Sequence, residues 1–307
     1  MIPEATLLGL PALPETRPLA REDRALFRGL FAARPPQQSE FTFTNLFLWR
    51  EAYALRVARL DQAVLLFSWR ADPEDSFLFP PLGEATEESV RAGLRVLAEA
   101  GHDAKLARVT RADLERLGVT EDAYEIQSDR DQWDYVYLVG DLIALSGNRY
   151  HDKRNHLEQF LRHHQFAYRP LTPELAPACQ ELHDRWCDEK HCDLQATLRA
   201  EARAVKEVLG HLPELGVTGG CIAIGDRVEA YTLGELLDPE TVVIHIEKAN
   251  AEFHGLYQAI NQQFLAQQWA AIRFVNREQD LGIPGLRKAK ESYHPHHLVE
   301  KFEVRLK

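Results

Sequence analysis

Apolar residues recur along this chain at two spacings. Every second position is apolar in short aromatic or β-branched runs, and every third or fourth in longer stretches. Residues 1–20 are proline-rich with little periodicity and read as a loosely attached arm, and 33–40, ARPPQQSE, is a second irregular segment. From Phe41 the runs FTFTNLFLW, 53–60, 63–69 and 76–79 are separated by Asp, Pro and Gly. They predict several strands, the first run being ambiguous with a helix. Thr86 followed by Glu87 and Glu88 opens a helix with Val90, Leu94 and Leu97 on its buried stripe and Gly101 as its stop. A strand over 104–109 follows, and Thr110 with Asp113 makes a capping-box start to TRADLERLG, which Gly118 ends. YEIQ and DYVYLVG close the half as strands.

The second half repeats this order. GNRYHDKRNHLEQFLRHH spaces Tyr150, Leu157, Phe160, Leu161 and His164 as a helix would and reads as the joint between the halves. After a strand over 166–170, Thr172, Pro173 and Glu174 open a helix to about Lys190, and 198–209 is another. Three strands follow, GCIAIGD, RVEAYTLGELL and ETVVIHIEKA, the first two joined at Gly225-Asp226. Then come the helix LYQAINQQFLAQQ, the strand AAIRFVN, the short helix GLRKAKESY and the strand LVEKFEVRL. This order is too mixed for a doubly wound parallel sheet. It predicts α+β domains, each a mixed, mostly antiparallel sheet flanked by helices, and it is the element order of GNAT acyltransferases. The first half shows the same order without the two early helices, so the expected organisation is an arm over 1–20, GNAT-like domains over 21–146 and 166–307, and a linker helix over 147–165. A length of 307 residues suits two domains of roughly 150.

Composition narrows the class. Hydrophobic residues at 45% and charged residues at 27% are ordinary for globular chains and exclude fibrous or wholly disordered ones. The 47 acidic against 36 basic side chains leave a net charge of −11, the wrong sign for gathering nucleic acid or anionic lipid by bulk electrostatics. No apolar run approaches the ~20 residues that span a bilayer, and the start lacks a basic flank with a long apolar core. The expectation is a cytoplasmic protein without integral membrane contact, whose four cysteines, Cys179, Cys187, Cys192 and Cys221, are reduced thiols.

The chemistry concentrates from Thr241 to Lys290. Strict alternation in TVVIHIEK puts Val242, Ile244 and Ile246 on one face and Val243, His245 and Glu247 on the other. The loop 250–255 leads into a helix whose free N–H groups suit an anion such as a pyrophosphate, with Glu247 beside it. A partly desolvated carboxylate at the end of a central strand can accept a proton from an attacking amine; alternatively Glu247 only pairs with Lys248 or a neighbouring Arg. Asn276, Arg277, Glu278 and Asp280 crowd the next strand-to-helix junction, a dense polar loop of the kind that carries sites. Arg287, Lys288, Lys290 and Tyr293 follow, able to neutralise a phosphate or protonate a leaving group, or else forming a solvated basic helix. A second basic cluster, with Arg149, Lys153, Arg154 and His156, can hold a cofactor phosphate, an acidic head group or an RNA backbone, although Arg154 with Glu158 is also a plain i,i+4 pair. His183, Cys187 and His191 fall at i, i+4 and i+8 with Cys192 adjacent, so three possible zinc ligands share a helical face and could chelate an ion only if the helix continues through His191; buried cysteines on a core stripe are the commoner reading, and no metal is expected. Walker, GxGxxG, GxSxG and HExxH motifs are absent.

GNRYHDKRNHLEQF, HIEKANAEFHGLYQAIN, NREQDLGIPGLRKAKESYHP and FTFTNLFLWR together resemble the signature stretches of an uncharacterised bacterial family. That family is grouped with the C-terminal catalytic domain of phosphatidylglycerol lysyltransferases. The resemblance covers nearly the whole chain and implies two tandem GNAT-like domains, the second holding the acyl-donor groove. Relatives move an aminoacyl group from a charged tRNA to a lipid head group or peptide amine, and GNAT enzymes at large use acyl-CoA. Where acyl-CoA enzymes carry Arg or Gln, two residues, Gly, one residue, Gly or Ala, this chain has Asn250 to Gly255 with only the last glycine in place, and Glu252 would repel a pyrophosphate. The expected function is therefore transfer of an activated acyl group, from aminoacyl-tRNA or acyl-CoA, to an amine or hydroxyl of a small molecule, peptide or phosphatidylglycerol-type head group. Glu247 would be the base, Tyr293 the acid, and Asn250, Gly255, Lys288 and Lys290 the donor site. His245, Asn276, Arg277, Glu278, Asp280, Lys153 and Arg154 would bind substrate. The alternative is a non-catalytic GNAT-like module that binds a metabolite, peptide or RNA.

Overall fold

The computed structural model describes Leu7 and residues 9–307, so part of the expected 1–20 arm lies outside the described residues. Its described part is attached: Leu10 and Leu19 are buried, and Arg17 and Pro18 pair with Val57 and Arg56. The chain forms two compact units, one running to Trp133 and completed by Val299–Lys307, the other Asp134–Leu298.

In the first unit Leu55–Leu60, Ala63–Ser68, Phe77–Leu78, Lys105–Val109, Phe302–Leu306 and Tyr124–Ser128 lie side by side in that order. They are antiparallel except where Leu78 meets Leu106. The capping signals place their helices correctly. The Thr110 side chain accepts from Asp113 N at the start of Arg111–Leu117, and Gly118, at φ 68°, ends it. FTFTNLFLW is the helix Phe43–Trp49, capped by Thr42. Phe43 to Leu48 are buried all round, which is why periodicity could not decide it.

The second sheet runs His297–Val299, Asp134–Leu138, Phe274–Asn276, Thr241–Ala249, Arg227–Asp238, Thr218–Ile224, Ala167–Pro170. Leu256–Gln268 packs with His151–His163 and Val139–Ala144, and Ala176–Lys190 packs with Ala196–Gly210 and Arg227–Asp238. Both units are mixed α+β sheets flanked by helices, each with one parallel pair of central strands.

The unit boundary differs from the expected one. DYVYL belongs to the second sheet, pairing antiparallel with Phe274–Asn276, and the last strand, Phe302–Leu306, inserts between Lys105–Val109 and Tyr124–Ser128. The two strands fill equivalent places, each beside the parallel pair, so the halves have exchanged them. LVEKFEVRL is accordingly two strands in different sheets, broken at Lys301, whose fully buried ammonium pairs with Glu40 at 2.5 Å. The expected linker helix sits inside the second unit, with Leu157 and Phe160 in one core with Leu256, Ile260 and Phe264.

Two expectations about cysteine are corrected. Ala176–Lys190 stops before His191, whose left-handed φ of 52° turns the chain back. His183, Cys187 and His191 therefore do not share a helical face. The turn brings Cys192 to Cys187 in a disulfide with Cα atoms 5.0 Å apart, so only Cys179 and Cys221 are free thiols.

Candidate active site

Thr241–Ala249 and Phe274–Asn276 pair in parallel only as far as Val243 and Asn276. Beyond that point one strand continues while the other leaves as a loop, and the gap between them is where polar residues gather. The continuing strand is also irregular. Ile246 pairs with Leu233 and Ile244 with Gly234, which leaves His245 as an extra residue, a β-bulge. Gly234 is required opposite it, since a Cβ there would stand 2.5 Å from the Val243 carbonyl oxygen.

The bulge overturns the expected alternation. Val242 and Ile244 face the Leu256–Gln268 core as predicted, but past His245 the faces switch. Glu247 turns towards that helix, its Oε2 accepting from Asn261 Nδ2 at 2.8 Å. Lys248 turns to the opposite side, with Nζ 3.4 Å from the Trp186 ring and 2.9 Å from Glu201.

Glu247 is therefore the corner of a cluster. Its Oε1 accepts from Arg277 Nη2 at 2.9 Å, with both side chains largely buried. Burial alone would push the Arg277 pKa down, but Glu247 outweighs it and the guanidinium stays charged. Arg277 Nη1 is buried with no hydrogen-bond partner among the described residues. The guanidinium lies 4.9 Å from the Tyr293 ring, and Lys153 Nζ lies 4.5 Å from the same ring. Burial holds the Tyr293 phenol above its ordinary pKa, so it is a protonated O–H at neutral pH. Burial and nearby Arg277 push Lys153 down.

A second group lies along the loop. His245 donates from Nδ1 to Glu278 at 2.8 Å and from Nε2 to Glu235 at 3.0 Å. Burial opposes its charge, yet the two carboxylates lift its pKa to about 9, so it is an imidazolium. The buried Asn276 donates to Asp134 at 3.0 Å and accepts from Glu278 N at 2.8 Å. Asp280, fully buried, accepts from Tyr135 Oη, Gly282 N and twice from Arg287. Burial would raise its pKa, but Arg287 and these donors hold it well below the usual carboxylate range. Lys290 Nζ turns inward onto the carbonyl oxygens of Arg277 and Glu278, and burial followed by Arg277 lowers its pKa to about 8.

The loop before Leu256–Gln268 is built by Asn250, which donates to Glu229 at 3.1 Å and accepts from Glu252 N at 3.0 Å. Gly255 has φ 89°, and a Cβ there would stand 2.1 Å from the His156 carbonyl oxygen, so His151–His163 presses on the start of the helix. Beside it lies a pocket of about 190 Å³ whose walls include Phe253, Tyr257, Gln258 and the paired rings of His156 and His254, 4.4 Å apart. Burial, then His254, lowers the His156 pKa, which keeps that ring neutral at pH 7.

Comparison with known proteins decides the family. The phosphatidylglycerol lysyltransferase C-terminal family matches residues 31–305. The chain belongs to that family. A conserved protein of unknown function from Bacteroides thetaiotaomicron superimposes with a TM-score of 0.86 at 31% identity, over 95% of this chain and 99% of that one. The C-terminal domain of a protein assigned as a lysylphosphatidylglycerol synthetase from Agrobacterium fabrum gives 0.66 at 11% identity, over 93% and 92%. L-PGS from Bacillus licheniformis gives 0.64 at 11%, over 92% and 91%. At that identity the last two show the shared fold. No curated protein sequence matches the chain.

Within this lysyltransferase-related domain the structure sorts the expected site residues. Glu247, Arg277, Tyr293 and Lys153 come together, and His245 and Glu278 form the neighbouring group. Lys288 is exposed and Lys290 is spent on backbone carbonyls, so neither joins Gly255 in a donor pocket. Arg154 donates to the Leu145 and Gly147 carbonyls instead of pairing with Glu158, which takes Arg162. Among the described residues no group of three or more His, Cys, Asp or Glu is arranged to hold a metal ion, and no helix is long and apolar enough to cross a membrane. Sequence reasoning missed Asn261 and Glu235. The one available signal was an Asn on the otherwise apolar stripe of Leu256, Ile260 and Phe264.

Proposed function

We propose that the second unit transfers an activated acyl group, in its finer form an aminoacyl group, to an amine or hydroxyl, with a phosphatidylglycerol-type head group as acceptor. The observation that carries this reading is the Glu247–Arg277–Tyr293 cluster at the parting of the two parallel strands, with Arg277 Nη1 buried and unsatisfied. Attack of the acceptor on the acyl carbonyl carbon places a negative charge on its oxygen, and a preorganised guanidinium N–H is the group that stabilises such an oxyanion. Glu247 holds Arg277 in place, and each of its oxygens accepts one hydrogen bond, leaving a lone pair for the acceptor's proton. The protonated Tyr293 phenol supplies a proton to the leaving oxygen or thiolate as the acyl bond breaks.

The donor enters along the pocket beside Gly255. Its surroundings favour an aminoacyl ester over a CoA pyrophosphate. The His156 carbonyl oxygen faces the helix start, Glu229 holds Asn250, and Glu252 is exposed on the same loop. The test is transfer of radiolabelled lysine or alanine from charged tRNA, in parallel with acetyl from acetyl-CoA, to phosphatidylglycerol vesicles and to free amines. Product from aminoacyl-tRNA, lowered roughly a hundredfold by Arg277→Ala, is the expected result. Turnover indifferent to Arg277→Ala, or no transfer from either donor class, would overturn the proposal and favour a binding module.

A further inference from the structure

The end of Ala176–Lys190 gathers side chains that bind soft metals. His183 and Cys187 are four residues apart on this helix and so lie on one face. The left-handed His191 then folds the chain back and brings Cys192 to Cys187, with Cα atoms 5.0 Å apart. His183 is oriented at both ring nitrogens. Nδ1 lies 3.2 Å from the buried Tyr231 Oη, and Nε2 lies 3.5 Å from Cys187 Sγ. With its ring proton on Nδ1 and donated to the phenol oxygen, the histidine turns its Nε2 lone pair towards the sulfur. Metal-binding histidines are held in this way, by a hydrogen bond from the nitrogen that does not bind the metal. A bridge across so short a loop also removes less entropy from the unfolded chain than one between distant segments, so stability is a weak reason for pairing these two cysteines.

We infer that His183, Cys187 and Cys192 form a zinc site that is closed by the disulfide and opened by its reduction. Two thiolates with an imidazole are a donor set that zinc prefers, and the C-x4-C spacing of the cysteines is within the range of zinc sites. Zn–N and Zn–S bonds of roughly 2.05 and 2.3 Å at a tetrahedral angle put nitrogen and sulfur about 3.6 Å apart, and His183 Nε2 already stands 3.5 Å from Cys187 Sγ. The two sulfurs would have to part to about 3.8 Å. Cys192 can retreat because residues 193–197, which follow it, are exposed. Two thiolates also neutralise the ion, so the site carries no net charge. While the sulfurs are bonded to each other they offer no ligands, which is why no metal-holding group is arranged among the described residues of the oxidised chain.

Reduction by a dithiol transfers two electrons and two protons to the bridge, giving two Cys–SH groups and the reductant's own disulfide. Zinc then displaces both thiol protons and takes a water in its fourth position, reached past the half-buried Cys187. The site lies behind the strand of the candidate active site. The Trp186 ring packs on His183, with centroids 6.0 Å apart, and carries Lys248 Nζ 3.4 Å from its centre; Lys248 follows Glu247 on Thr241–Ala249. The inference rests on these side chains and stands apart from the acyl-transfer chemistry.

The experiment titrates Co²⁺, a spectroscopic stand-in for zinc, and then Zn²⁺ into the full chain before and after reduction by a phosphine that does not bind the metal. The reduced chain should take up one Co²⁺ with the intense visible bands of tetrahedral cobalt and a thiolate charge-transfer band, and Zn²⁺ should displace it. Two protons should be released per metal bound. The oxidised chain should bind none. Cys187→Ser and Cys192→Ser should each weaken binding by more than about a hundredfold, and Tyr231→Phe, which removes only the hydrogen bond to His183, by about tenfold. His191→Asn, which tolerates the left-handed turn and lies outside the donor set, should bind as the wild type does. Circular dichroism of each variant checks that it is folded. A reduced chain that takes up no metal, an octahedral cobalt spectrum, undiminished binding by Cys192→Ser, or a bridge that withstands reduction in the folded chain would each overturn the inference.

Discussion

Replacing His245 by Gln removes the positive charge held between Glu235 and Glu278, and the cost should depend on pH with a calculable sign. The folded protein raises this imidazole from its ordinary 6.5 to about 9. At ~1.4 kcal/mol per pH unit, that gap is worth on the order of 3 kcal/mol. A raised pKa means that the folded state holds the proton more tightly. The contribution is therefore complete below pH 6.5 and is lost as pH rises through 9. Lys290 acts in the opposite direction. Its pKa is lowered from 10.5 to about 8, so between those values the unfolded chain binds the proton better and stability rises with pH. The two windows overlap between pH 8 and 9, so the wild-type curve alone is nearly flat there, and the difference between wild type and His245→Gln isolates the imidazolium. Thermal melts at pH 6, 7, 8, 9 and 10 should show a Tm gap that shrinks by roughly 6–12 °C across the range. NMR of labelled histidine should show the His245 ring titrating near pH 9. A gap that stays constant from pH 6 to 10, or a ring that titrates below 7, would refute the buried imidazolium.

Glu247→Gln leaves the Arg277 guanidinium without its counter-charge, in a pair only 15% and 12% exposed. It should cost roughly 2–4 kcal/mol in urea unfolding and lower any transfer activity about as much as Arg277→Ala does. Gly255→Ala must place a methyl group against the His156 carbonyl at positive φ, whereas Gly101→Ala, at φ 78°, meets nothing within 4 Å. The first should lower stability by about 3 kcal/mol or more and the second by about 1 kcal/mol, as read by denaturant midpoints. Lys290→Met should lose the Lys290 contribution that grows between pH 8 and 10.5, so the stabilities of wild type and variant should diverge by about 2–3 kcal/mol over that window.

Features carried by neighbouring residues were legible in the sequence. Thr110, Asp113 and Gly118 delimit a helix by themselves, because caps act over three or four positions. The order of strands and helices, and with it the mixed α+β class, follows from many such local readings. Strand exchange is a different kind of fact. DYVYL and FEVRL each show a buried β pattern, and nothing in either run states which sheet will take it. That choice is made by pairing with Phe274–Asn276 and Lys105–Val109, more than a hundred residues away in each case. The ends of LVEKFEVRL part for a similar reason. Lys301 reads as a surface lysine until Glu40, far along the chain, supplies its buried partner.

The site follows the same division. Glu247, Arg277, Tyr293 and Lys153 were recognisable as chemistry-bearing residues, but strict alternation put Glu247 on the wrong face. A period-two reading assumes an unbroken ladder, and one inserted residue reverses every assignment beyond it. The clue was on the partner strand. Gly234 interrupts RVEAYTLGELL where a branched residue would be expected, and a glycine inside a strand commonly marks a bulge or a close backbone approach. Allowing for a bulge opposite it moves Glu247 towards Leu256–Gln268, where the buried Asn261 donates its amide N–H to the carboxylate. Arg277 then meets Glu247 because Phe274–Asn276 stops pairing at Val243, and the loop that follows has to cross the gap that the bulge faces. The charged residues could be read one at a time; which of them pair was decided by a single extra residue in the central strand.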